Sequence, residues 1–437
     1  MSSVLVWHRG DLRVHDHAAV TAAAQSGAPA AGVVVLDTAI LAGTSVRRRA
    51  LFCRGVEALR REWRARGAEL IVRSGVPSVV LPELAKRLGA GEVHALRSHT
   101  PYGVHRDDEA AISLMRAGAV LTLHDGLYVQ PPGSVLTRDG RSFSVFTPWF
   151  RRWSELPVPG PLEPPPALRG LELPAGMEAG AVPRPESDVP LPEAGEGAAL
   201  QRLEDFVEAR LDDYAATRDR LDGSGGARLS IDFALGALSP RTAFHRVRAR
   251  RGEGPRKWIM ELAWRDFMAD LLHHRPGLAD EPMDAKFRAF PWRNDDAAFV
   301  AWRDGVTGIP VVDAAMRELR ATGWMSGRAR MVAAQFLTKH LGVHWKKGEQ
   351  VFRHLLLDGD AASNIGNWQW AAGLGVDNAP YFRVFNPVAQ GRSHDPDGAW
   401  LRRWVPESDG DPRPLPNAIV ELQAARRDYL AAVEELA

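Results

Sequence analysis

Hydrophobic residues change their period partway along the chain. Up to residue 123, short apolar runs at 4–7, 33–36, 69–72, 92–96 and 120–123 alternate with amphipathic stretches at 16–25, 48–66, 77–88 and 105–116. Strand followed by helix, repeated, predicts a parallel sheet covered on both faces, with ligands bound at the strand tips. From Leu200 onward the spacing is that of helices. Leu200, Leu203, Phe206, Val207, Leu211 and Tyr214 share one stripe, and 255–274, 310–322, 328–341 and 349–357 also read as helices. Neither period describes the stretch between. Positions 157–192 hold 11 of the 31 prolines, and 160–200 carry seven acidic residues against two basic ones. Such a segment predicts a connector running over the surface. The expected architecture is an α/β, Rossmann-like parallel-sheet domain at 1–130, a Pro-rich connector at 131–199 and an all-α domain at 200–437.

Charge narrows the function. Net charge is +1, from 55 basic and 54 acidic residues, which excludes a chain held to polyanions by bulk charge but not one with a local basic groove. Seven basic residues and one acidic lie at 241–257, and eleven basic and six acidic at 320–403. These are either solvated helix faces or a surface that meets phosphates. The one cysteine, Cys53, excludes an intrachain disulfide and a Cys-rich zinc site, and fits a reducing cytoplasm. No signal peptide is expected at the N-terminus and no membrane span anywhere. There are 14 Trp against 5 Tyr. The excess needs a reason, because each indole is bulky and carries an N–H to satisfy.

Several clusters carry chemistry-bearing residues. Trp258, Glu261 and Arg265 fall on one helix face at i, i+3 and i+7, with Trp264 at its border. The plain reading is a core-facing Trp pair with a Glu261–Arg265 ion pair at i, i+4. Asp358-Gly359-Asp360, followed by Asn364 and Gly366-Asn367-Trp368-Gln369-Trp370, suits reading a polar heterocycle by hydrogen bonds. It has too few regularly spaced oxygen ligands for a cation loop. Arg330 is placed to meet one of those carboxylates and Arg328 a phosphate. The Gly-rich run from Gly223 to Ser230 offers backbone N–H groups to a pyrophosphate, although a flexible loop explains it equally well. It is not a P-loop, since no GK[ST] follows. The turn at 7–13 lacks the GxGxxG dinucleotide fingerprint. His340 and His344 have the spacing of a zinc helix, but Leu341 stands where a metalloprotease carries Glu, and no metal is expected.

Together these stretches resemble one family, the DNA photolyases and cryptochromes, and above all the bacterial cyclobutane pyrimidine dimer photolyases. The similarity runs from Val6-Trp7-His8-Arg9-Gly10-Asp11-Leu12-Arg13 to about Trp404. Its most specific parts are Glu261-Leu262-Ala263-Trp264-Arg265-Asp266-Phe267, Gly308-Ile309-Pro310-Val311-Val312-Asp313-Ala314-Ala315-Met316-Arg317, and positions 358–387. The last includes Asn367-Trp368-Gln369-Trp370 and Tyr381-Phe382-Arg383-Val384-Phe385-Asn386-Pro387.

The resemblance implies a carbon–carbon lyase that repairs cyclobutane pyrimidine dimers with light, by electron transfer from reduced FAD to a flipped-out dimer. It implies that FAD lies in the helical domain. Tyr214 and Gly226-Ala227-Arg228-Leu229-Ser230 would hold its phosphates, Trp258 would pack on it, and Arg265, Arg330, Asp358, Gly359, Asp360 and Asn364 would surround it, Asn364 facing N5. The lesion and its DNA would meet Arg218, Glu261, Trp264, Arg265, Gly327, Arg328, Met331 and Trp370, with Glu261 and Asn364 as the catalytic pair. Trp368, Trp345 and Trp292 match the chain that reduces photoexcited flavin, which would account for the Trp excess. The partner would be UV-damaged DNA, single- or double-stranded, and the protein a cytoplasmic monomer.

Two departures stand out. Ser326-Gly327 replaces the His-Asn common before Arg328, so a side-chain contact is lost there, and Ile365 replaces a residue often polar. The resemblance implies either a second, antenna chromophore in the first domain or no antenna at all. Gly103 stands where folate-binding relatives have Glu, which favours a flavin or deazaflavin antenna over folate. The alternative is a cryptochrome-type blue-light receptor. Such proteins often lose the Glu and Trp of the lesion pocket and add a long tail, whereas Glu261, Trp264 and Trp370 are present here.

Overall fold

The computed structural model describes residues 2–436. Five parallel strands, β1 (Ser3–His8), β2 (Ala30–Asp37), β3 (Leu70–Gly75), β4 (Ala90–Leu96) and β5 (Val120–His124), form one sheet in the order β3-β2-β1-β4-β5. Val4 sits opposite Ala30 on one side and Glu92 on the other. The strand order reverses direction beside β1, so the carboxyl ends of β1 and β4 flank the crevice where such sheets take ligands. Side chains alternate along β1. Leu5 and Trp7 pack with Ile71, Leu84 and Leu114 under the helices Pro77–Leu88 and Pro101–Arg116. Val4 and Val6 face the other way, in a core that continues unbroken through Leu59 and Trp63 to Phe206, Trp258 and Trp368. The two halves of the chain therefore share one hydrophobic interior.

Beyond the sheet the structure is helical, with no helix among the described residues long and apolar enough to cross a membrane. Three details differ from the sequence reading. The stretch at 131–199 contains a helix, Phe146–Glu155. Proline density, which suggested a connector, begins only at 157, whereas Phe146, Trp149 and Trp153 form a buried stripe at i, i+3 and i+7. The helix expected over 328–341 is an α-helix at Gly327–Gln335 that continues as a π-turn at Phe336–His340. The stripe from Leu200 belongs to a helix at Glu196–Ala209, followed by a single turn at Tyr214–Thr217.

Local chemistry sets the elements around the site. Pro310 opens the helix Pro310–Thr322, and Asp313 accepts the N–H groups of Thr307 (2.7 Å) and Gly308 (2.9 Å). Asp360 caps the helix Ala361–Ala372 by accepting the Ser363 N–H at 2.8 Å. In the helix Trp345–Leu355, Gly348 is needed for packing, since a Cβ there would lie 2.1 Å from the Trp368 ring.

Candidate active site

A cavity of about 580 Å³ opens in the helical half. The helix Glu253–His274 supplies Trp258, Glu261, Trp264 and Arg265 to its wall. Opposite stand Gly327, Arg328, Arg330 and Met331, then Asp358, Gly359 and Asp360, and Asn364, Trp368 and Trp370 from the next helix. Tyr214, Arg218 and the run Gly226, Ala227, Arg228, Leu229 and Ser230 close the remaining side. Residues from five separate stretches thus meet in one place. Trp345 and Trp292 lie outside this lining.

Each wall has identifiable support. In the Gly-rich run, Gly223 has φ +67°, and a Cβ there would lie 2.6 Å from the Trp324 ring. Trp324 in turn stacks under the Arg228 guanidinium at 4.5 Å. The Arg330 guanidinium donates to Asp358 Oδ2 at 2.8 Å. Arg265 donates to the Leu127 carbonyl at 2.8 Å and lies over the Tyr128 ring at 4.4 Å, with Asp360 Oδ2 at 3.9 Å. The Glu261–Arg265 pair of the plain reading is therefore not formed. Glu261 instead pairs with Arg218 and, at 3.7 Å, with Lys257. Trp264 stacks on Phe146, with ring centroids 3.7 Å apart and planes 8° from parallel, so one of its faces is covered. Asn364 Nδ2 donates to Glu349 Oε1 (2.7 Å) and to the Glu349 carbonyl (3.1 Å). At Gly327 a Cβ would meet open space.

The charged groups are pulled in opposite directions. Burial pushes the Tyr214 phenol well above its ordinary value, and the Glu261 carboxylate adds to the shift. Burial would raise Asp219, but Arg328, whose guanidinium donates to it at 2.7 Å, holds it below the usual carboxylate range. Both guanidiniums expected to meet phosphate, Arg218 and Arg328, are thus paired with carboxylates at the cavity edge.

Four partners escaped the sequence reading. Phe146 backs Trp264, Glu349 holds Asn364, and Asp377 accepts the Phe146 N–H at 2.7 Å. Arg48, from the sheet-side half, donates to the Gly359 carbonyl at 2.8 Å. Only Asp377 leaves a sequence trace, in the turn-forming pair Asp377-Asn378, both at positive φ.

Trp368 and Trp345 are buried and Trp292 is half-buried. The His344 ring lies 5.9 Å from Trp345 and 5.1 Å from Trp292, between the two. His344 also caps its helix by accepting the Lys346 N–H, so it acts as a cap and an aromatic spacer. Among the described residues, His8, Asp11 and His17 are close enough to hold a metal ion. Their ring nitrogens are already used, however. His8 Nε2 accepts from Trp63 and its Nδ1 faces the Asp11 carbonyl, while His17 Nε2 bonds Asp11 Oδ2 and its Nδ1 accepts the Val20 N–H.

Residues 4–168 match the family model for DNA photolyase, and residues 258–435 that for the FAD binding domain of DNA photolyase. The chain is 52% identical to the deoxyribodipyrimidine photo-lyase of Thermus thermophilus, with 100% of both chains covered. It superposes on the cryptochrome of Synechocystis with a TM-score of 0.91 at 29% identity, covering 98% of this chain and 99% of that one. A photolyase of Sulfolobus tokodaii, solved with two FAD molecules, gives a TM-score of 0.88 at 25% identity, covering 99% and 100%. Sheet, cavity and full-length identity agree: the chain belongs to the DNA photolyase family, and is a DNA-repair enzyme with a FAD-binding domain.

Proposed function

We propose that the chain repairs cyclobutane pyrimidine dimers in DNA with light, using reduced FAD held in the helical cavity and a dimer flipped out of the strand. The observation that carries this reading is one cavity gathering both residue sets, cofactor and lesion. Its size suits a cofactor. Buried side-chain atoms without a protein partner sit on its lining residues: Trp324 Nε1, Arg328 Nε, Asp358 Oδ1 and Trp368 Nε1. Each such atom costs roughly 1–3 kcal/mol unless something satisfies it, which fits a large polar ligand.

When bound in its reduced state, FAD supplies a light-excited electron that opens the cyclobutane ring and is then returned, with no net redox change. The protein does the rest. Buried Trp258 packs on the cofactor, and Arg330, Asp358 and Asp360 hold its ring edge. Asn364 commits its NH2 group to Glu349, which leaves its carbonyl oxygen for the cofactor. Nearer the solvent, half-buried Trp264 and Trp370 stack on the dimer, Met331 packs beside it, and Glu261 bonds its polar edge. Flipping costs a few kcal/mol, less for a damaged pair, and photolyases are among the known base-flipping enzymes. Arg218 and Arg328 exchange Glu261 and Asp219 for DNA phosphates. Trp368, Trp345 and Trp292 pass electrons inward to keep the cofactor reduced.

Residues 1–130 form an antenna-type domain, joined by 131–199 to the catalytic domain at 200–437. A flavin or deazaflavin antenna suits it better than folate, because a Cβ at Gly103 would lie 1.8 Å from Ser98 Oγ, leaving no ready place for the folate-binding Glu. The Sulfolobus relative's light-harvesting cofactor supports the same choice. The protein works as a cytoplasmic monomer. A cryptochrome shares the fold, but fold alone does not assign function, and Glu261, Trp264 and Trp370 favour repair. The test is illumination of the purified protein with dimer-containing DNA. Dimers should disappear only in the light and only with reduced cofactor. Photoreduction without loss of dimers would favour signalling.

A further inference from the structure

The geometry points to Arg48, a residue of the sheet-side half, as a positioning residue for the loop Asp358-Gly359-Asp360, and through it for the redox poise of the flavin; this rests on the cavity being the FAD site. The helix Val46–Ala65 packs on the sheet, but its first turn reaches into the helical half. There the Arg48 guanidinium donates to two carbonyls, Arg353 O and Gly359 O, each at 2.8 Å. Arg353 lies in the last turn of the helix Trp345–Leu355, whose carbonyls lack partners within the helix. Gly359 is the middle of the carboxylate loop, and a Cβ on it would lie 2.8 Å from Arg48 Nη1. One planar fork thus ties the end of one helix to the loop that starts the next. An ammonium on a flexible stem does not reproduce that fork.

The charge matters as well as the bonds. Asp358 and Asp360 sit beside Arg330 at 2.8 Å and Arg265 at 3.9 Å. Burial lowers the Arg48 pKa, while Asp358 and Asp360 act against that shift, so the cation is within electrostatic reach of both. It adds positive potential at the cavity edge where the cofactor ring lies in the proposed reading. Such potential favours the more negative, reduced state of a bound flavin. Arg48 does not line the cavity itself, so it acts through Gly359.

Its neighbour Arg47 provides the reference. It also joins the two halves, bonding Asp188 at 2.7 and 3.0 Å and the Leu319 carbonyl at 3.3 Å, but touches no part of the loop. The experiment uses full-length, FAD-loaded protein carrying Arg48→Met, Arg48→Lys or Arg47→Met, and measures Tm, FAD release rate and flavin midpoint potential. Arg48→Met should lower the potential and release FAD several-fold faster. Arg48→Lys should keep most of the potential but not the slow release. Arg47→Met should lower Tm and move neither. If Arg48→Met fails to fold, Arg48→Lys and Arg48→Gln separate charge from bonding in the same way. A wild-type potential and release rate in the Arg48 variants, with only Tm lowered, would make Arg48 a simple staple and overturn the inference. A wild-type chain that retained no FAD would overturn the cavity reading with it.

Discussion

The helix Glu253–His274 partners its carboxylates in two different ways, with tryptophan and backbone N–H groups at one end and with cations at the other. Toward its C-terminal end, Asp266 takes N–H groups from Trp153 (3.0 Å) and Gln130 (2.9 Å), and Asp270 takes them from Trp149 (3.0 Å) and Gly133 (2.6 Å). Both carboxylates and both indoles are buried. Toward the cavity, Glu261 faces cations, Arg218 and Lys257, and its side chain is 31% exposed. The first arrangement matches buried acceptors to fixed neutral donors, each bond worth about 1.5–3 kcal/mol because one partner is charged. The second is a set of half-open ion pairs worth about 0–1 kcal/mol each, which a phosphate or a base can replace at little cost. Similar residue types on one helix therefore make a strut at one end and an exchangeable surface at the other.

The sharpest way to break this division is through tryptophan. Trp368→Phe should nearly abolish reduction of the flavin by blue light and an external reductant, followed by absorbance, while repair by chemically pre-reduced protein survives. Trp153→Phe should leave photoreduction at the wild-type rate but lower stability by about 1–3 kcal/mol, since Asp266 loses a buried donor. Equal slowing in both variants would erase the distinction between strut and site. Next in size, Trp370→Ala removes a stacking face worth roughly 1–3 kcal/mol, so the Kd for dimer-containing DNA should rise about 5–150-fold. Trp149→Phe should leave that Kd unchanged and cost only stability. Smaller again, Arg328→Ala should weaken damaged and intact DNA alike and flatten the log–log salt dependence by about one unit. A loss confined to damaged DNA would mean that Arg328 touches the lesion.

The central strands β1 and β2 were legible because parallel strands buried on both faces are nearly continuous apolar runs, as at Val33–Val34–Val35–Leu36, whereas the edge strand β5 has no buried residue and shows only as the short run at 120–123. The residues that line the cavity were legible because they stand in short linear motifs that resemble the family's. What was hidden depends on long-range packing. Nothing near residue 146 announces that Asp266 and Asp270, more than a hundred positions later, will hold Trp153 and Trp149. The same holds for Arg48 and the Gly359 carbonyl. The tryptophan excess was ascribed to electron transfer, and that reason is incomplete. Trp63, Trp149, Trp153, Trp302 and Trp400 spend their N–H groups on His8, Asp270, Asp266, the Ala333 carbonyl and Glu318, as anchors of the core.

Asp266 offers the finest test of the strut. Burial pushes its carboxyl up to about 6, against the hydrogen bonds from Gln130, Trp153 and Val129. In the unfolded chain the same group titrates at about 3.9. Between those values the folded chain holds a proton that the unfolded chain does not. Its contribution to stability is therefore full below about pH 4 and is lost as pH rises through about 6. Moving from pH 7 to pH 5 should add about 1 kcal/mol from this group alone. Asp266→Asn cannot titrate but keeps a carbonyl acceptor for the Trp153 indole. Urea unfolding of both proteins at the two pH values isolates the effect, because other titrating groups cancel in the difference. The wild-type advantage should grow by about 1 kcal/mol at pH 5. A flat difference would mean that the indole and backbone donors outweigh burial and keep Asp266 ionised at pH 5 as well as at pH 7.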